Sequence, residues 1–509
     1  MIDFILASLP LIIILLLMVG FRWGASRAGA AGYLTAIFLS VTSFGAGFQV
    51  LAVAHGKAFL LTIDVLFIIW MAFLLFRVVD ESGGITSIGD ALPYLTADKG
   101  MQALIIGWVF ASFLQGVGGF GVPVAVIAPI LVGLGFSPLS AVVIPSIGHG
   151  WAVTFGSLGS SFNAMMAATN LPSNLLGPPA AIYLGIAGLG VGFMVAHISG
   201  GWVAVKHLFF PIITLGVAMG FAQWLSVSLG LWNIGAFFGS LAGLVLAFPL
   251  ARLFRGVRKN NQTFDLRKLL IAISGYAVLI VLTLIIQLIP SVREYLSRVN
   301  LTLNFPEVST MNGYISPAGS GRKIYLFRHA GAILFYASVI AYLIYRKAGW
   351  YSPGAAGRIL YGTGKRVMSS SVGIASMVAM AMVMQHAGMT ETIAESLANS
   401  VGPLFPLVSP IIGALGAFMT GSNTNSNVVF AALQMRTAEM LKLPVTGILA
   451  GQTSGGALGS VIAPTKVVVG ASTGGMEGRE GEVMRKMFVY SGLLVLLMGL
   501  VTIIFLWFS

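Results

Sequence analysis

The chain has 509 residues, of which 57% are hydrophobic and only 8% are charged, and its mean hydropathy is +0.95. This composition predicts an all-α polytopic membrane protein with room for about 11 to 14 transmembrane helices. The net charge of +13 is attributed to Lys and Arg in cytoplasmic loops, so no nucleic-acid partner is expected. Cysteine is absent, which excludes disulfides, thiolate catalysis and cysteine-ligated metals.

The first half of the chain alternates apolar runs with short polar connections. The N-terminal run 6–21 lacks a basic leader and a small-residue cleavage site, so it is predicted to remain as a membrane span. Arg22 and Arg27 follow this run and place the next loop in the cytoplasm. Further spans and half-helices are predicted at 31–54, 58–76, 101–114, 122–134, 139–166, 180–198, 208–229 and 234–254.

A basic stretch divides the chain in two. Residues 252–268 carry six Lys or Arg against one Asp, which predicts a cytoplasmic linker between a first repeat, residues 1–251, and a second repeat, residues 269–509. In the second repeat, the polar segment 290–328 is predicted to lie outside, because basic loops lie beyond the spans on either side of it. The apolar runs of this half are 269–289, 330–345, 367–387, 406–419, 427–439, 445–472 and 487–508.

Each half contains one apolar segment that is interrupted by glycine and polar residues. The sequence Phe-Leu-Gln-Gly-Val-Gly-Gly-Phe-Gly-Val-Pro occupies 113–123, and Phe-Met-Thr-Gly-Ser-Asn-Thr-Asn-Ser-Asn occupies 418–427. Broken backbone at membrane depth is tolerated only where it lines a protein cavity, and a matching pair of breaks indicates a transporter's binding site. We therefore predict two inverted repeats, with a broken helix or re-entrant hairpin near 115–123 and near 420–427. The alternative is a similarity of glycine-rich composition alone.

The two breaks supply the groups that a small anion needs. A half-helix that begins after Gly121 or near Asn427 presents free N–H groups and a positive dipole end, and glycines let the backbone approach a ligand. Neither break contains a charged side chain, so a monoanion fits better than a metal, and no metal site is predicted. The predicted substrate-binding residues are Gln115, Gly116, Gly118, Gly119, Phe120, Gly121, Ser422, Asn423, Thr424, Asn425, Ser426, Asn427, Thr453 and Ser454.

Three ionisable residues within apolar runs are candidates for ion coupling or anion anchoring. Asp64 lies inside the third run, where desolvation makes proton binding feasible; the alternative is a carboxylate near the interface that only caps or hydrogen-bonds a neighbour. Lys466 could hold a substrate carboxylate or extend to the interface. His149, in the glycine-rich run 147–159, could donate to a carboxylate or carry a proton, or it could be a packed, hydrogen-bonded histidine.

The motifs of enzymes are missing from the chain. There is no HExxH, no Walker A loop and no GxSxG in a strand context. The glycines at 118–121 do not match the spacing of a nucleotide-binding loop. We therefore expect a protein that is not an enzyme and needs no cofactor. A channel or a membrane-embedded enzyme is the alternative class.

The interrupted stretches resemble the lactate permease family, which comprises uptake carriers for L-lactate and related 2-hydroxy acids such as glycolate. The resemblance rests on residues 113–125, 131–136, 418–434 and 462–464, which occur in matching order and spacing. More distantly, Ser422-Asn-Thr424 is similar to the Ser-Asn-Thr signature at the hairpin tips of divalent-anion/sodium symporters. That similarity implies helical hairpins that carry the substrate past a fixed scaffold in an elevator motion.

The resemblance implies a multi-pass protein of the cell membrane that imports lactate or a related small 2-hydroxy monocarboxylate by proton symport. The chain departs from the family pattern at Gln115 and Asn423, where many members have Glu and Asp. It also has charges at Asp64 and Lys466, where members generally have none. The coupling ion is therefore open between H⁺ and Na⁺, and a sodium-coupled or uncoupled carrier of another small organic anion is the alternative. A homodimer is one option for the assembly.

Overall fold

The computed structural model describes residues 2–21, 23–91, 96–118, 121–254, 266–321 and 323–507. Within these residues, ten helices are long and apolar enough to cross a membrane, and a bent pair at 270–286 and 290–297 makes eleven when it is counted as one span. The prediction of an all-α polytopic membrane protein is confirmed. The number of spans, ten or eleven among these residues, is just below or at the lower limit of the predicted 11 to 14, because an arm such as Val122–Gly133 is about 18 Å long and too short to cross alone.

The helices described before residue 255 alternate long spans with short arms. A π-helix at Leu16–Gly20 extends the first helix, and π-helical turns at Ala103–Phe110 join the fifth to the sixth. The twelve α-helices of this part are α1 (Ile2–Leu15), α2 (Ala25–Thr42), α3 (Phe48–Glu81), α4 (Gly84–Ala91), α5 (Lys99–Gln102), α6 (Ala111–Val117), α7 (Val122–Gly133), α8 (Pro138–Gly148), α9 (Ser160–Thr169), α10 (Ser173–His207), α11 (Phe209–Ser228) and α12 (Gly235–Leu253).

The second half begins beyond the basic linker, most of which, 255–265, lies outside the described residues. Its α-helices are α13 (Leu266–Leu288), α14 (Pro290–Ser297), α15 (Ala330–Lys347), α16 (Ala355–His386), α17 (Met389–Val401), α18 (Phe405–Thr420), α19 (Asn423–Met440), α20 (Val445–Ser460), α21 (Pro464–Thr473) and α22 (Glu480–Trp507). Among the described residues, 3₁₀ turns connect helices at Gly150–Ala152, Ser157–Gly159, Trp232–Ile234 and Gly402–Leu404.

The polar segment between α14 and α15 forms one long β-hairpin, which the sequence analysis did not predict. Its six two-residue strands are β1 (Asn300–Leu301), β2 (Asn304–Phe305), β3 (Val308–Ser309), β4 (Ile315–Ser316), β5 (Gly319–Ser320) and β6 (Ile324–Tyr325). They pair as nested antiparallel ladders, β1 with β6, β2 with β5 and β3 with β4. At the tip, Met311 N–H donates to the Gly45 carbonyl at 2.8 Å, so the hairpin reaches the connection between α2 and α3.

The boundary between the second and third spans differs from the prediction. Spans at 31–54 and 58–76 were predicted, with the boundary between them at 55–57, but α2 ends at Thr42 and α3 begins at Phe48. The chain turns at Gly45, whose φ is +68°. Within α3, His55 hydrogen-bonds the Leu51 carbonyl at 2.7 Å, and Lys57 lies 3.0 Å from the His386 ring. Polar partners in the folded protein therefore allow these residues to stay helical.

The same order of elements occurs in both halves around the two breaks. In the first half, α6 and α7 flank one break, and α8 and α9 flank a second break at 149–159. In the second half, α18 and α19 flank one break, and α20 and α21 flank another at 461–463. The arms pack crosswise, because α19 contacts α9 and α7 contacts α21. This packing brings the interrupted segments of the two halves together.

Candidate functional site

The break in the second half is a sharp turn between two helices. Helix α18 ends at Thr420, and Gly421 follows with a φ of +72°, a left-handed conformation that glycine adopts without a steric penalty. Ser422 then caps α19, because its hydroxyl accepts a hydrogen bond from the Asn425 N–H at 3.4 Å. A Ser at this position satisfies one of the free N–H groups of the first helical turn. The predicted break near 420–427 is therefore a two-residue turn, and residues 423–427 are the buried first turn of a helix.

Two asparagines of this turn connect the two halves of the protein. The amide of Asn423 donates to the Thr154 hydroxyl at 3.1 Å and to the Thr453 carbonyl at 3.2 Å. The amide of Asn427 donates to the Ser161 carbonyl and to the Thr453 hydroxyl, both at 2.9 Å. Thr154 and Ser161 lie in or beside the break between α8 and α9. The second-half break thus packs on the first-half break through buried, uncharged hydrogen bonds.

The remaining polar side chains of the turn have different partners. Thr424 shares a hydrogen bond of 3.0 Å with the Ser161 hydroxyl. Ser426 donates to the Gly413 carbonyl at 2.8 Å, and the Gln452 amide donates to Ser426 at 3.0 Å. Among the predicted residues on α20, Thr453 belongs to this network. Ser454 does not, because its hydroxyl bonds back to the Gly451 carbonyl of its own helix.

The structure describes the residues on both sides of the break in the first half. Gln115 and Gly116 are buried on α6, where a Cβ at Gly116 would lie 3.0 Å from the Phe237 backbone of α12. Gly118 follows α6, and Gly121, with a φ of +85°, begins α7. The predicted residues Gly119 and Phe120 lie outside the described residues. Gln115 also contacts the neighbouring break, since a Cβ at Gly156 would lie 3.0 Å from its Cγ.

Several buried polar atoms around the breaks lack a hydrogen-bond partner among the described residues. Oδ1 of Asn423, Oδ1 of Asn425, Oε1 of Gln115 and Nε2 of His149 are in this group. Buried polar atoms are normally paired with protein or with ordered water. Unpaired polar atoms from both halves therefore lie next to the breaks, as expected for a site that binds a polar ligand or ordered water.

His149 and Lys466 lie at opposite ends of their breaks, since His149 ends the helix before one break and Lys466 lies in the helix after the other. His149 follows α8 and donates from Nδ1 to the Pro145 carbonyl at 2.6 Å. Lys466, half-buried in the first turn of α21, donates to the Ser460 hydroxyl at 3.2 Å. A Cβ at Gly150, the residue after His149, would lie 3.6 Å from Cγ1 of Val461, in the break before α21. The structure therefore places both predicted residues beside the breaks.

Asp64 lies apart from this cluster, midway along α3, and its side chain is buried. Its carboxylate accepts a hydrogen bond from Asn163 Nδ2 at 2.7 Å and another from His329 Nε2 at 2.8 Å. Asp64 is 1% exposed, and it hydrogen-bonds its neighbours, as the alternative interpretation of the sequence also predicted. The sequence analysis missed both of its partners. Asn163 lies in the predicted run 139–166, in which only His149 was singled out, and His329 lies between the predicted polar segment 290–328 and the predicted span 330–345.

Thr154, Ser161 and Gln452 were also missed as site residues. Thr154 and Gln452 lie in the two glycine-rich runs that follow the breaks, 147–159 and 451–460, which occur in the same order in both halves, and Ser161 lies two residues beyond the first run. That repetition was the one available signal, but it does not show which hydroxyl or amide points to the opposite half. The folded structure selects them through the crosswise packing of α9 and α19.

A bundle of membrane-crossing helices with interrupted helices from both halves meeting around an uncharged polar cluster defines a multi-pass membrane transport protein. The comparisons with known proteins agree. The sequence profile of the L-lactate permease family matches residues 3–508. The chain therefore belongs to the L-lactate permease family, a family of cell-membrane transporters for lactate-like substrates, and it is not an enzyme.

Individual relatives match over most of their length. The glycolate permease GlcA of Escherichia coli (strain K12) is 26% identical over 98% of this chain and 95% of its own. The L-lactate permease of Salmonella typhi is 27% identical over 86% of this chain and 83% of its own. Among solved structures, the Alcanivorax borkumensis YdaH transporter aligns with a TM-score of 0.46 at 15% identity, over 91% of this chain and 88% of that chain.

Proposed function

We propose that this protein imports lactate or a related small 2-hydroxy monocarboxylate, and that the substrate binds where the breaks of the two halves meet. The proposal is supported by family membership over residues 3–508 and by relatives named for L-lactate and glycolate. The observation that carries it is the set of unpaired polar atoms on Gln115, His149, Asn423 and Asn425 beside the breaks.

The chemistry of the cluster suits a single negative charge with a hydroxyl group beside it. The first turn of α19 supplies backbone N–H groups at the positive end of the helix dipole. Asparagine amides and the hydroxyls of Thr154 and Thr453 can both donate and accept, as a 2-hydroxy acid requires. Lys466 is the cation for the carboxylate in this proposal, because a charge-assisted hydrogen bond is about twice as strong as a neutral one.

The coupling ion is a proton in this proposal, with Asp64 as the group that carries it. Gln115 and Asn423 cannot take this role, because amides do not titrate. Sodium is the second candidate, and one observation favours it: the unpaired Oδ1 and Oε1 atoms of Asn423, Asn425 and Gln115 are neutral oxygens of the kind that hard cations bind. In either case the two halves act as inverted repeats, and the interrupted helices move past α2, α3 and α16 as an elevator.

The test of the proposed function is uptake of labelled L-lactate into proteoliposomes, with pH and sodium gradients imposed separately. Accumulation driven by external acid alone would support proton symport, and accumulation that requires sodium would support the second candidate. Absence of uptake under both gradients, with glycolate tested in parallel, would overturn the substrate class.

The role of Lys466 is tested in the same assay. Lys466→Gln removes the proposed carboxylate partner, and we expect KM for L-lactate to rise about 10- to 100-fold, the range for a lost hydrogen bond to a charged group. Lys347→Gln removes an exposed lysine at the end of α15 and is the matched control, with KM unchanged. An unchanged KM in Lys466→Gln would remove the lysine from the binding site.

A further inference from the structure

A second polar cavity lies away from the breaks, at the base of the β-hairpin. It has a volume of about 360 Å³ and is bounded by α3, α9, the turn before α12 and the start of α15. The charged and aromatic side chains that line it are Asp64, Trp232, Arg293, Lys323, Tyr325, Arg328 and His329. We name this cavity, with these lining residues, the outer vestibule, because the hairpin belongs to the segment predicted to lie outside.

The charge of this segment runs against the usual distribution of membrane proteins. Residues 290–329 contain five Lys or Arg against two Glu, although loops outside the cytoplasm normally carry few basic residues. Three of the five, Arg293, Lys323 and Arg328, line the outer vestibule. A cavity lined by one sign of charge raises the local concentration of the opposite ion.

Arg328 is oriented for a ligand that the described residues do not supply. Its guanidinium lies 3.9 Å from the centroid of the Tyr325 ring, and its Nε is buried without a hydrogen-bond partner among the described residues. The ammonium of Lys323 lies 5.1 Å from the same ring centroid. Burial raises the pKa of Tyr325, but the neighbouring positive groups of Arg328 and Lys323 outweigh it and hold the pKa below its ordinary value. This direction is consistent with a positive potential at the base of the hairpin.

The carboxylate in the floor of the vestibule does not cancel this potential. Asp64 is engaged by the Asn163 amide and the His329 ring, and the three basic side chains outnumber it. Asn163 and Ser161 are two positions apart on α9, so their side chains point to nearly opposite sides of that helix. Ser161 contacts Thr424 at the substrate cluster, and one turn of α9 therefore separates the vestibule from the breaks.

We propose that the outer vestibule is a docking site for small carboxylate anions, separate from the cluster at the breaks, in which Arg328 and Lys323 hold the carboxylate before it passes α9. This inference rests on the proposed function for the identity of the anion. The vestibule concentrates substrate at the outer face, and the cluster at the breaks selects and carries it.

The experiment measures equilibrium binding of labelled L-lactate to the solubilised full chain at low and high salt. In the double variant Lys323→Gln/Arg328→Gln, we expect the affinity at low salt to fall about 3- to 10-fold and its salt dependence to flatten, as for other electrostatically focused sites. Arg298→Gln is the matched control, because Arg298 is an exposed base of the same segment that does not line the vestibule. It is expected to bind as the wild type does.

A charge-preserving variant separates lost binding from lost structure. Arg328→Lys is expected to keep most of the affinity and the salt dependence. Unchanged binding and salt dependence in the double variant would overturn the vestibule, as would wild-type protein that shows no salt-sensitive binding of L-lactate. Wild-type protein that binds L-lactate in this way but does not take it up would support the vestibule and contradict the proposed transport.

Discussion

At the scale of single residues, the buried carboxylate of Asp64 carries the clearest functional hypothesis. A charged group inside a span is costly unless it is paired or functional, and Asp64 is held by partners on two other parts of the fold, Asn163 of α9 and His329 before α15. A proton that binds Asp64 removes its charge and weakens both hydrogen bonds. The hydrogen bonding between α3 and α9 would then depend on whether Asp64 is protonated. Such a dependence is required if proton binding is to be coupled to a movement of α9.

We predict that Asp64→Asn abolishes accumulation of L-lactate driven by a pH gradient while downhill exchange of lactate continues. The amide keeps the shape of the carboxylate but cannot bind a proton. The measurement compares net uptake and counterflow in proteoliposomes, with Glu307→Gln, an exposed carboxylate on the β-hairpin, as the control. Full pH-gradient dependence in Asp64→Asn would remove Asp64 from coupling.

At the scale of elements, the close approach of α18 and α20 positions the cluster at the breaks. A Cβ at Gly455 would lie 1.9 Å from the Pro410 carbonyl oxygen, and one at Gly413 would lie 2.0 Å from the Gln452 carbonyl oxygen. Small residues at such an interface let helix backbones approach closely in a membrane. The close packing also brings α20 against the polar cluster itself, because a Cβ at Gly456 would lie 2.1 Å from Oδ1 of Asn423.

Gly455→Ala is predicted to force α18 and α20 apart and to destabilise the protein by about 1 to 3 kcal/mol, the usual cost of overpacking. Its thermal unfolding in detergent should shift to lower temperature, with a parallel loss of lactate uptake. Gly492→Ala on α22 is the control, since a Cβ there meets no atom within 4 Å and alanine has the higher helix propensity. Equal unfolding temperatures for the two variants would contradict the packing argument.

At the scale of the whole molecule, the proposed elevator requires α9 to move relative to α3. Leu61 of α3 and Ala168 of α9 both line one cavity of about 220 Å³, which lies where the two helices would move past each other. Trp70 of α3 and Ser371 of α16 are joined by a hydrogen bond of 2.9 Å within the group proposed to stay fixed. The chain has no cysteine, so paired cysteines can be introduced without a background reaction.

We predict that a bifunctional thiol reagent stops lactate uptake in Leu61→Cys/Ala168→Cys and leaves it unchanged in Trp70→Cys/Ser371→Cys. The first cross-link fixes α9 to the scaffold, whereas the second connects two parts of that scaffold. Cross-linking yield is measured by mass spectrometry in the same samples. Normal uptake by protein fully cross-linked between α3 and α9 would exclude movement across this surface.

The sequence by itself determined the class of the protein and the location of its breaks. A chain with 8% charged residues can satisfy its backbone in a membrane only as helices or closed barrels, and helical spans follow from the length of its apolar runs. The two interrupted segments could be recognised for the same reason, because polar and glycine residues inside an apolar run indicate a break in the helix that lines a cavity. Gly121 and Gly421 could be recognised at this level because they act through their own backbone, with φ values of +85° and +72°.

Only the tertiary structure decided which polar groups face each other. Thr154, Ser161 and Gln452 join the cluster because α9 and α20 pack against α19, and no periodicity in the sequence specifies that contact. The same holds for Asp64, whose partners Asn163 and His329 are 99 and 265 residues away. The β-hairpin beside the outer vestibule could not be predicted from the sequence for a related reason. Its two-residue strands are too short to show an alternating pattern, and the hairpin packs on α3 through β3.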